Sequence, residues 1–339
     1  MSELIEKIKT KRMIDRAGRL IKRSYYIVLN NVLVEWSITT LIAAVLVILS
    51  VIDKIFHTRY KRALISRIRE ISRDDLNRLR KTQIKYIFRK KYGIGRIKIR
   101  LAEGSYWLSI PCVVKGIDRR TGEEKKFLVK IINEMSAIKH KYMMQMRNLG
   151  MAVVGTGLKF NGYEDARDMM MFERGCLKKL RKSSVNTPKV LGSYRLNEED
   201  HILVMEYIEG ELLSDMVITA DQVDQIFRML KTVHDSRFVH GDIKLDNMIY
   251  SQGKVYFIDC LKIDETAFDA GKKYDLVCAI SSIAEKYPVK KILEIAERYY
   301  PKDEIREAGR LLYVAIFKPD IDLPEEKVEE LRSYFEPAP

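Results

Sequence analysis

The chain has 339 residues, of which 47% are apolar and 32% are charged. This composition excludes an intrinsically disordered protein and allows one medium-sized domain with an appendage, or two small domains. The net charge of +14 is concentrated in residues 1–100, which hold 25 Lys and Arg against 8 Asp and Glu, whereas the rest of the chain holds 36 against 39. Two parts with different roles are therefore expected.

An uncharged stretch of 17 residues, Trp36–Ile52, follows a basic segment assigned to residues 1–30. A helix over residues 31–52 would cross about 30 Å of hydrocarbon, which predicts a membrane-spanning helix. A buried core helix is the alternative. A cleaved signal peptide is disfavoured because the apolar run begins late, is long and lacks a small-residue cleavage motif.

The basic residues on the two sides of this stretch bear on its orientation. Eight lie within residues 1–23, seven within 53–73 and a further ten within 74–100. Because positive charge is retained in the cytoplasm, this balance favours a single-pass membrane protein with its C-terminal domain on the cytoplasmic side. A hairpin with both ends inside is left open.

Residues 53–92 form a basic segment in which apolar side chains recur every three or four positions, at Tyr60, Leu64, Ile68 and Ile71. The pattern predicts an amphipathic juxtamembrane helix whose basic residues, over 53–91, contact anionic lipid. A solvated basic face packed on the next domain is the second interpretation. Specific nucleic-acid binding is not predicted, because no recognised module surrounds the charge.

From residue 93 the sequence changes to short strand-like runs: IKIRLA, PCVVKGI, FLVKII, KVLGSYRL and HILVMEYI. The turn DRRTGEE between the second and third runs predicts a hairpin. A mainly helical part follows, with DQVDQIFRMLKTVHDS as its clearest helix. Strands first and helices second predict an α+β fold with two lobes, 93–208 and 209–339, and a cleft between them.

The four cysteines, Cys112, Cys176, Cys260 and Cys278, are far apart in sequence and form no C-x-x-C pair. This spacing predicts reduced thiols in a cytosolic compartment, with no disulfide framework and no zinc site. The five histidines are also scattered, so no structural metal is predicted.

The stretch HGDIKLDNMIY, residues 240–250, holds Asp242 and Asn247, and Asp259 follows the apolar strand VYFI. Transfer of a phosphoryl group from a nucleotide needs a carboxylate to orient the attacking hydroxyl and oxygen ligands for Mg²⁺. An amide on a loop and a carboxylate at the end of a neighbouring strand can hold one Mg²⁺ from two sides. The stretch therefore favours a catalytic loop over a simple polar turn.

Over residues 95–290 the chain resembles the protein kinase superfamily. HGDIKLDN matches its H-x-D-x-x-x-x-N loop, FLVK its lysine strand, LVMEYIEG its hinge strand, and IDC stands at its D-F-G position. The H-G-D triplet, a short segment ending in KYDL and a small C-terminal lobe resemble the atypical RIO kinases and the archaeal kinase of the tRNA-modifying KEOPS complex. The resemblance implies a two-lobed kinase-like fold that binds ATP and Mg²⁺.

The resemblance also implies roles on the catalytic side of the cleft. Asp242 would accept or orient the substrate hydroxyl, and Lys244 would steady the γ-phosphate. Asn247 and Asp259 would bind Mg²⁺.

On the nucleotide side, the resemblance implies that Lys130 contacts the α- and β-phosphates. A glutamate on the following helix would hold this lysine. Glu173 in FERGCLKKL is the first candidate for that glutamate, and Glu164 is the second.

The adenine end of the cleft is implied in the same way. Met205 would be the gatekeeper, Glu206 and Ile208 would offer adenine their backbone C=O and N–H, and LAEGSYW stands where kinases have a glycine-rich loop. Gly104 remains there while other residues replace the outer glycines, which reduces the freedom of the backbone to close over phosphates.

Three further departures concern regulation. Gly241 replaces the arginine that many regulated kinases place before the catalytic aspartate, only 15 residues separate Asp259 from Asp275, and no A-P-E follows. A loop gated by phosphorylation is therefore not predicted. In the RIO-like pattern, Asp275 would be a buried aspartate that braces the catalytic loop.

Residues 133–165 form an insertion, and eight of the 14 methionines fall between Met135 and Met171. One interpretation is one or two helices packed on the N-terminal lobe. The other is a flexible methionine-rich surface for a partner or lipid.

These observations favour a membrane-anchored atypical kinase that transfers the γ-phosphate of ATP to a hydroxyl, with Lys244 favouring Ser or Thr of a protein. A lipid or small-molecule kinase and a non-catalytic pseudokinase scaffold are the alternatives. The reduced glycine loop favours the scaffold, whereas the four intact site residues Lys130, Asp242, Asn247 and Asp259 oppose it.

Overall fold

The computed structural model describes residues 28, 32–56, 60, 64, 76–102, 108–316 and 321–336. Apart from Val28, the predicted basic segment at residues 1–30 lies outside these described residues, as do positions 57–59, 61–63 and 65–75 of the predicted amphipathic helix at 53–92. Helix α1 spans Val32–Phe56 and covers the predicted apolar stretch. Its window Trp36–Asp53 has a mean hydropathy of 2.1 with 6% of it buried, so its length and composition would allow it to cross a membrane.

Helix α2, Arg78–Lys91, precedes the first strand and packs on the N-terminal lobe. The side chain of Asn77 caps its first turn by accepting a hydrogen bond from the backbone N–H of Arg80 at 2.9 Å. Ile84 and Phe88 are fully buried in a cluster with the strands. In this part of the basic segment the apolar face therefore lies on protein, as the second interpretation of the sequence expected.

The N-terminal lobe is built on an antiparallel sheet of five strands in the order β1-β2-β3-β5-β4. The strands are β1 Ile94–Leu101, β2 Ile110–Asp118, β3 Glu124–Asn133, β4 Val190–Arg195 and β5 Asp200–Glu206. The predicted hairpin is confirmed, because β2 pairs with β3 in antiparallel register. Strand β3 lies at the centre of the sheet. Its final five residues are buried, so their side chains are enclosed on both faces of the sheet.

Two helices connect β3 to β4: α3, Glu134–Val154, and α4, Ala166–Lys182. Helix α3 begins with a capping box in which Asn133 and Ser136 satisfy each other's backbone N–H groups. It ends at Gly155, whose φ of 66° is a left-handed conformation that favours glycine.

The methionine-rich insertion is a structured helix rather than a flexible surface. Met144 and Met151 on α3 are 1% and 4% exposed and belong to the core of the C-terminal lobe. Met169 and Met170 on α4 are buried beneath the N-terminal sheet. The interpretation of helices packed on the N-terminal lobe is right for α4 and for the start of α3, where Ala137 lies in the cluster with the sheet, and wrong for the C-terminal half of α3, which packs on the C-terminal lobe. The interpretation of a flexible surface is wrong, since these four of the eight methionines are buried in cores.

The C-terminal lobe combines a small sheet with helices. The sheet has strands β6 Glu211–Leu212, β7 Met248–Ser251 and β8 Lys254–Phe257, and the helices are α5 Ala220–Asp235, α6 Phe268–Ala284, α7 Val289–Ala296, α8 Lys302–Gly309, α9 Leu312–Ile316 and α10 Glu325–Phe335. Helix α6 is buried over most of its surface and forms the centre of this lobe. The mixed α+β architecture fits a kinase-like fold. Strands β7 and β8 form a hairpin, and Asp259 lies two residues after the end of β8.

Candidate active site

The centre of the site is a cation held between two carboxylates. Lys130 lies near the end of β3, is 9% exposed, and donates from Nζ to Glu173 Oε1 at 2.6 Å. The same Nζ donates to the carboxylate of Asp259. A buried ion pair is stable only when good geometry offsets the loss of hydration, so three charges brought together here indicate a constraint other than packing.

Glu173 reaches this lysine from α4, which packs its apolar face against the sheet. Its side chain is 8% exposed and lies between the buried residues Met170 and Leu177 of the same helix face. The second candidate, Glu164, lies before α4 and is exposed. Of the two glutamates proposed from sequence, the structure brings Glu173 to the lysine.

The catalytic-loop residues form a second cluster. Asn247 donates from Nδ2 to both the backbone oxygen and the Oδ2 of Asp242, each at 2.8 Å, and Lys244 Nζ is 3.8 Å from Asp242 Oδ2. The backbone oxygen of Asn247 accepts a hydrogen bond from the N–H of Ile258 at 3.0 Å, which ties the loop to the segment that ends at Asp259. The side-chain Nδ2 of Asn247 is thus bonded to Asp242, and the Oδ1 of Asn247 is the atom that could coordinate a metal.

Asn247 and Asp259 fit a Mg²⁺ ion in ligand type. Both offer oxygen, they lie on two segments joined by a backbone hydrogen bond, and the side chain of Asp259 is 40% exposed. Mg²⁺ at nucleotide sites commonly takes one or two protein ligands and completes its shell with phosphate and water. Within the described ranges, no three His, Cys, Asp or Glu side chains converge as an all-protein metal cage.

A buried aspartate braces the catalytic loop from α6. Asp275 is 0% exposed and accepts hydrogen bonds from the backbone N–H groups of His240 and Gly241 at 2.7 and 2.8 Å. Its Oδ2 is also 3.4 Å from Nε2 of His234. This is the brace that the RIO-like pattern predicted, and it fixes the backbone of the two residues that precede Asp242.

Steric crowding explains why the middle residue of the H-G-D triplet is glycine. Gly241 has a φ of 81°, and a Cβ built on it would lie 2.9 Å from the backbone oxygen of Leu261. That close approach is fixed by a hydrogen bond from the N–H of Leu261 to the oxygen of His240 at 2.9 Å. Asp259 also has a positive φ, 60°, a conformation that non-glycine residues adopt at a cost and that concentrates at functional sites.

The prediction that all cysteines are reduced thiols without a disulfide is wrong for two of them. Cys176 on α4 and Cys260 next to Asp259 form a disulfide with a Cα–Cα distance of 6.7 Å. They are 84 positions apart in sequence, so their spacing carried no sign of the pairing. Cys112 and Cys278 are buried and lie outside this disulfide.

The adenine end of the cleft is only partly described. Met205 is 2% exposed on β5, and the exposed Glu206 uses its backbone N–H in a hydrogen bond to the oxygen of Lys189 at 2.9 Å. Ile208 is half-buried just after the strand. Gly104 lies outside the described residues.

Sequence reasoning missed one side chain in the site. Arg147, on the insertion helix α3, places Nη2 at 3.7 Å from Asp242 Oδ1. No motif surrounds it, and the only available signal was the length of the insertion.

A buried histidine lies on the same helix. His140 is 0% exposed and its ring lies 4.2 Å from that of Tyr163. Burial lowers the pKa of His140 from 6.5 to about 3, with Arg147 adding to the effect. His140 is therefore neutral at pH 7.

Comparisons with known proteins match the part of the chain that carries this site. Residues 118–267 match the family model of the RIO domain. The chain is 34% identical over 93 residues to the KEOPS complex subunit Bud32 of Pyrococcus abyssi, a match that covers 26% of this chain and 41% of the relative. A probable serine/threonine-protein kinase BUD32 homolog of Archaeoglobus fulgidus is 37% identical over 79 residues, covering 23% of this chain and 37% of the relative.

A third relative is the EKC/KEOPS complex subunit BUD32 of Encephalitozoon cuniculi. It is 29% identical over 91 residues, covering 26% of this chain and 43% of the relative. The chain thus spans less than half the length of each of these three proteins. The resemblance to the atypical RIO-like branch of the protein kinases, which the sequence predicted, is confirmed over the matched region.

Proposed function

We propose that this RIO-like chain is a phosphotransferase that moves the γ-phosphate of ATP to a hydroxyl. The observation that carries the proposal is a pair of neighbouring clusters, joined by the backbone hydrogen bond from Ile258 to Asn247. Lys130 is bonded to both Glu173 and Asp259, while Asn247 holds Asp242 by two hydrogen bonds of 2.8 Å. A pseudokinase scaffold has no need to keep five ionisable and polar side chains in these mutual positions.

Each side chain has a physical task in the proposed reaction. Lys130 supplies positive charge to the nucleotide phosphates, and Glu173 keeps that charge in place. Asp242 orients the attacking hydroxyl and takes its proton, while Lys244 stabilises negative charge on the transferred group. A bound Mg²⁺, held by Asn247 and Asp259, would neutralise the phosphate charge.

The proposed substrate is a serine or threonine of a protein. Lys244, two residues after Asp242, supports this choice, as does the printed name of the Archaeoglobus relative. A lipid or small-molecule hydroxyl is the alternative acceptor. The relatives named as KEOPS subunits suggest protein partners for this chain as well.

The proposed location is a membrane, with the kinase domain on its cytoplasmic side. Supporting it, α1 is apolar and exposes large side chains, including Leu33 at 78%, Leu41 at 66% and Val47 at 62%. Such a surface is unfavourable in water. The basic balance of residues 74–100 supports the proposed orientation and an attraction to anionic lipid.

The proposed activity is tested with the full chain in lipid vesicles, labelled ATP and Mg²⁺. Phosphate transfer to itself or to histone is expected for the wild type and for Asp303→Asn, an exposed control whose side chain is 93% accessible. Transfer should be lost in Asp242→Asn. Label that appears in a lipid extract and not on protein would shift the substrate class to lipid. Equal transfer by wild type and Asp242→Asn, or none by either, would overturn the proposal.

A further inference from the structure

The insertion helix α3 begins at the end of the strand that carries Lys130 and passes close to the catalytic loop. It starts immediately after β3, which carries Lys130, and its C-terminal half packs into the core of the C-terminal lobe through Met144 and Met151. Arg147 lies between these two buried methionines. Its position is therefore fixed by a core and is not that of a surface side chain.

A second set of contacts fixes the helix at the next residue. Asn148 accepts from the backbone N–H of Phe160 and donates to its backbone oxygen, each at 2.7 Å. Phe160 in turn forms a bridge with Ile263, four residues after Asp259. Helix α3 is thus joined to the segment that follows the proposed metal ligand.

The guanidinium of Arg147 is held on the active-site side of this helix. Its central carbon lies 5.5 Å from the centroid of the Phe160 ring, and Nη2 is 3.7 Å from Asp242 Oδ1. The Arg147 and Asp242 side chains are 18% and 13% exposed, so the pair is only weakly screened by water. Lys244 approaches the other carboxylate oxygen at 3.8 Å. Two cations therefore flank one carboxylate, one on each oxygen.

Phosphoryl transfer places further negative charge at this point. A substrate hydroxyl that donates a hydrogen bond to Asp242 lies about 2.7 Å from the carboxylate oxygen. The phosphorus must come within about 3–3.5 Å of the oxygen of that hydroxyl. The transferred oxygens then lie within reach of a guanidinium that already stands near Asp242. An arginine supplied in cis to a transferring phosphoryl group stabilises its transition state.

We propose that Arg147 is a further catalytic residue that binds the transferred phosphoryl group together with Lys244, and that the insertion exists to deliver it. The proposal rests on the proposed kinase function. Arg147 pairs with Asp242 before nucleotide binds and donates to phosphoryl oxygens as the hydroxyl attacks. The planar fork of arginine suits this exchange, because it can donate to two oxygens at once.

The test uses the full chain in lipid vesicles, with Mg·ATP and with histone as the acceptor. Arg147→Met keeps the apolar stem over Phe160 and removes the charge, Arg147→Lys keeps the charge without the fork, and Arg167→Ala on the exposed side of α4 is the matched control. Arg147→Met should lower kcat about 100- to 1,000-fold with the KM for ATP changed less than about threefold. Arg147→Lys should fall between it and the wild type, and Arg167→Ala should match the wild type.

Four results would overturn the role, and the last of them would overturn the proposed function as well. A kcat within twofold of the wild type in Arg147→Met would show that the guanidinium does not contact the phosphoryl group, and a raised kcat would show that it restrains Asp242. Loss of kcat together with loss of ATP-dependent thermal stabilisation, in both Arg147→Met and Arg147→Lys, would assign a structural role. A wild type without Asp242-dependent transfer would instead remove the proposed function itself and this role with it.

Discussion

The catalytic loop and the insertion helix α3 both reach Asp242, yet they are built in opposite ways. The loop supplies Lys244 and Asn247 from within five residues of Asp242, in a motif that can be read from the chain. Helix α3 supplies Arg147 from 95 positions away. The loop is specified by local spacing, whereas the contribution of the insertion depends on which face of α3 packs into the core.

The side chain of Asp275, beneath the loop, tests how far the position of Asp242 depends on the backbone before it. Asp275→Asn keeps the shape of the side chain but loses the charge-assisted hydrogen bonds to the N–H groups of His240 and Gly241. We expect kcat to fall about 100-fold, since a small misplacement of Asp242 suffices for such a loss. Asp269→Asn, an exposed aspartate on the same helix, is the control and should retain activity. Unchanged kcat in Asp275→Asn would show that the loop does not depend on this brace.

Two variants of helix α2 test whether its apolar face packs on the protein, as the structure shows, or contacts lipid. Ile84→Ala removes a fully buried side chain and should lower the free energy of unfolding by about 2–5 kcal/mol. Leu79→Ala, on a residue 63% exposed, should change it by less than about 0.5 kcal/mol. Denaturant unfolding of both variants in detergent measures the difference. Equal effects would mean that the N-terminal lobe does not require the α2 contact.

The disulfide joins the helix of Glu173 to the residue beside Asp259. Cys176→Ser with Cys260→Ser should lower the free energy of unfolding by about 2–4 kcal/mol, because an 84-residue loop is no longer closed in the unfolded chain. A reductant should produce the same loss in the wild type and none in the double variant. Labelling of both thiols in the unreduced native protein would show that the bond is absent.

The buried histidine on α3 gives a pH-dependent effect. Because burial lowers the pKa of His140 from 6.5 to about 3, the unfolded chain binds the proton first as pH falls. Stability from this residue is complete above pH 6.5 and is lost toward pH 3, by about 2 kcal/mol between pH 7 and pH 5. His140→Phe, which preserves the ring contact with Tyr163, should remove that part of the pH dependence of unfolding. An identical pH profile in the variant would contradict a buried neutral imidazole.

The strands, the hairpin and the main helix of the C-terminal lobe could be predicted from sequence because hydrophobic periodicity and turn residues specify them locally. Lys130 and Glu173 could be placed only through the family resemblance, since 42 residues separate them. Arg147 and the Cys176–Cys260 pair could not be predicted, because each depends on how α3 and α4 pack against distant segments. The same limit applies to the methionines, whose spacing could not distinguish a core from a binding surface.

The most direct test of the site is Mg²⁺-dependent ATP binding by the full chain in lipid, compared between the wild type and Asp259→Ala. If Lys130, Glu173, Asn247 and Asp259 form a nucleotide site, saturating ATP should raise the melting temperature of the wild type only when Mg²⁺ is present, and it should not do so in the variant. A wild type that ATP does not stabilise, or a variant stabilised equally well, would contradict the account.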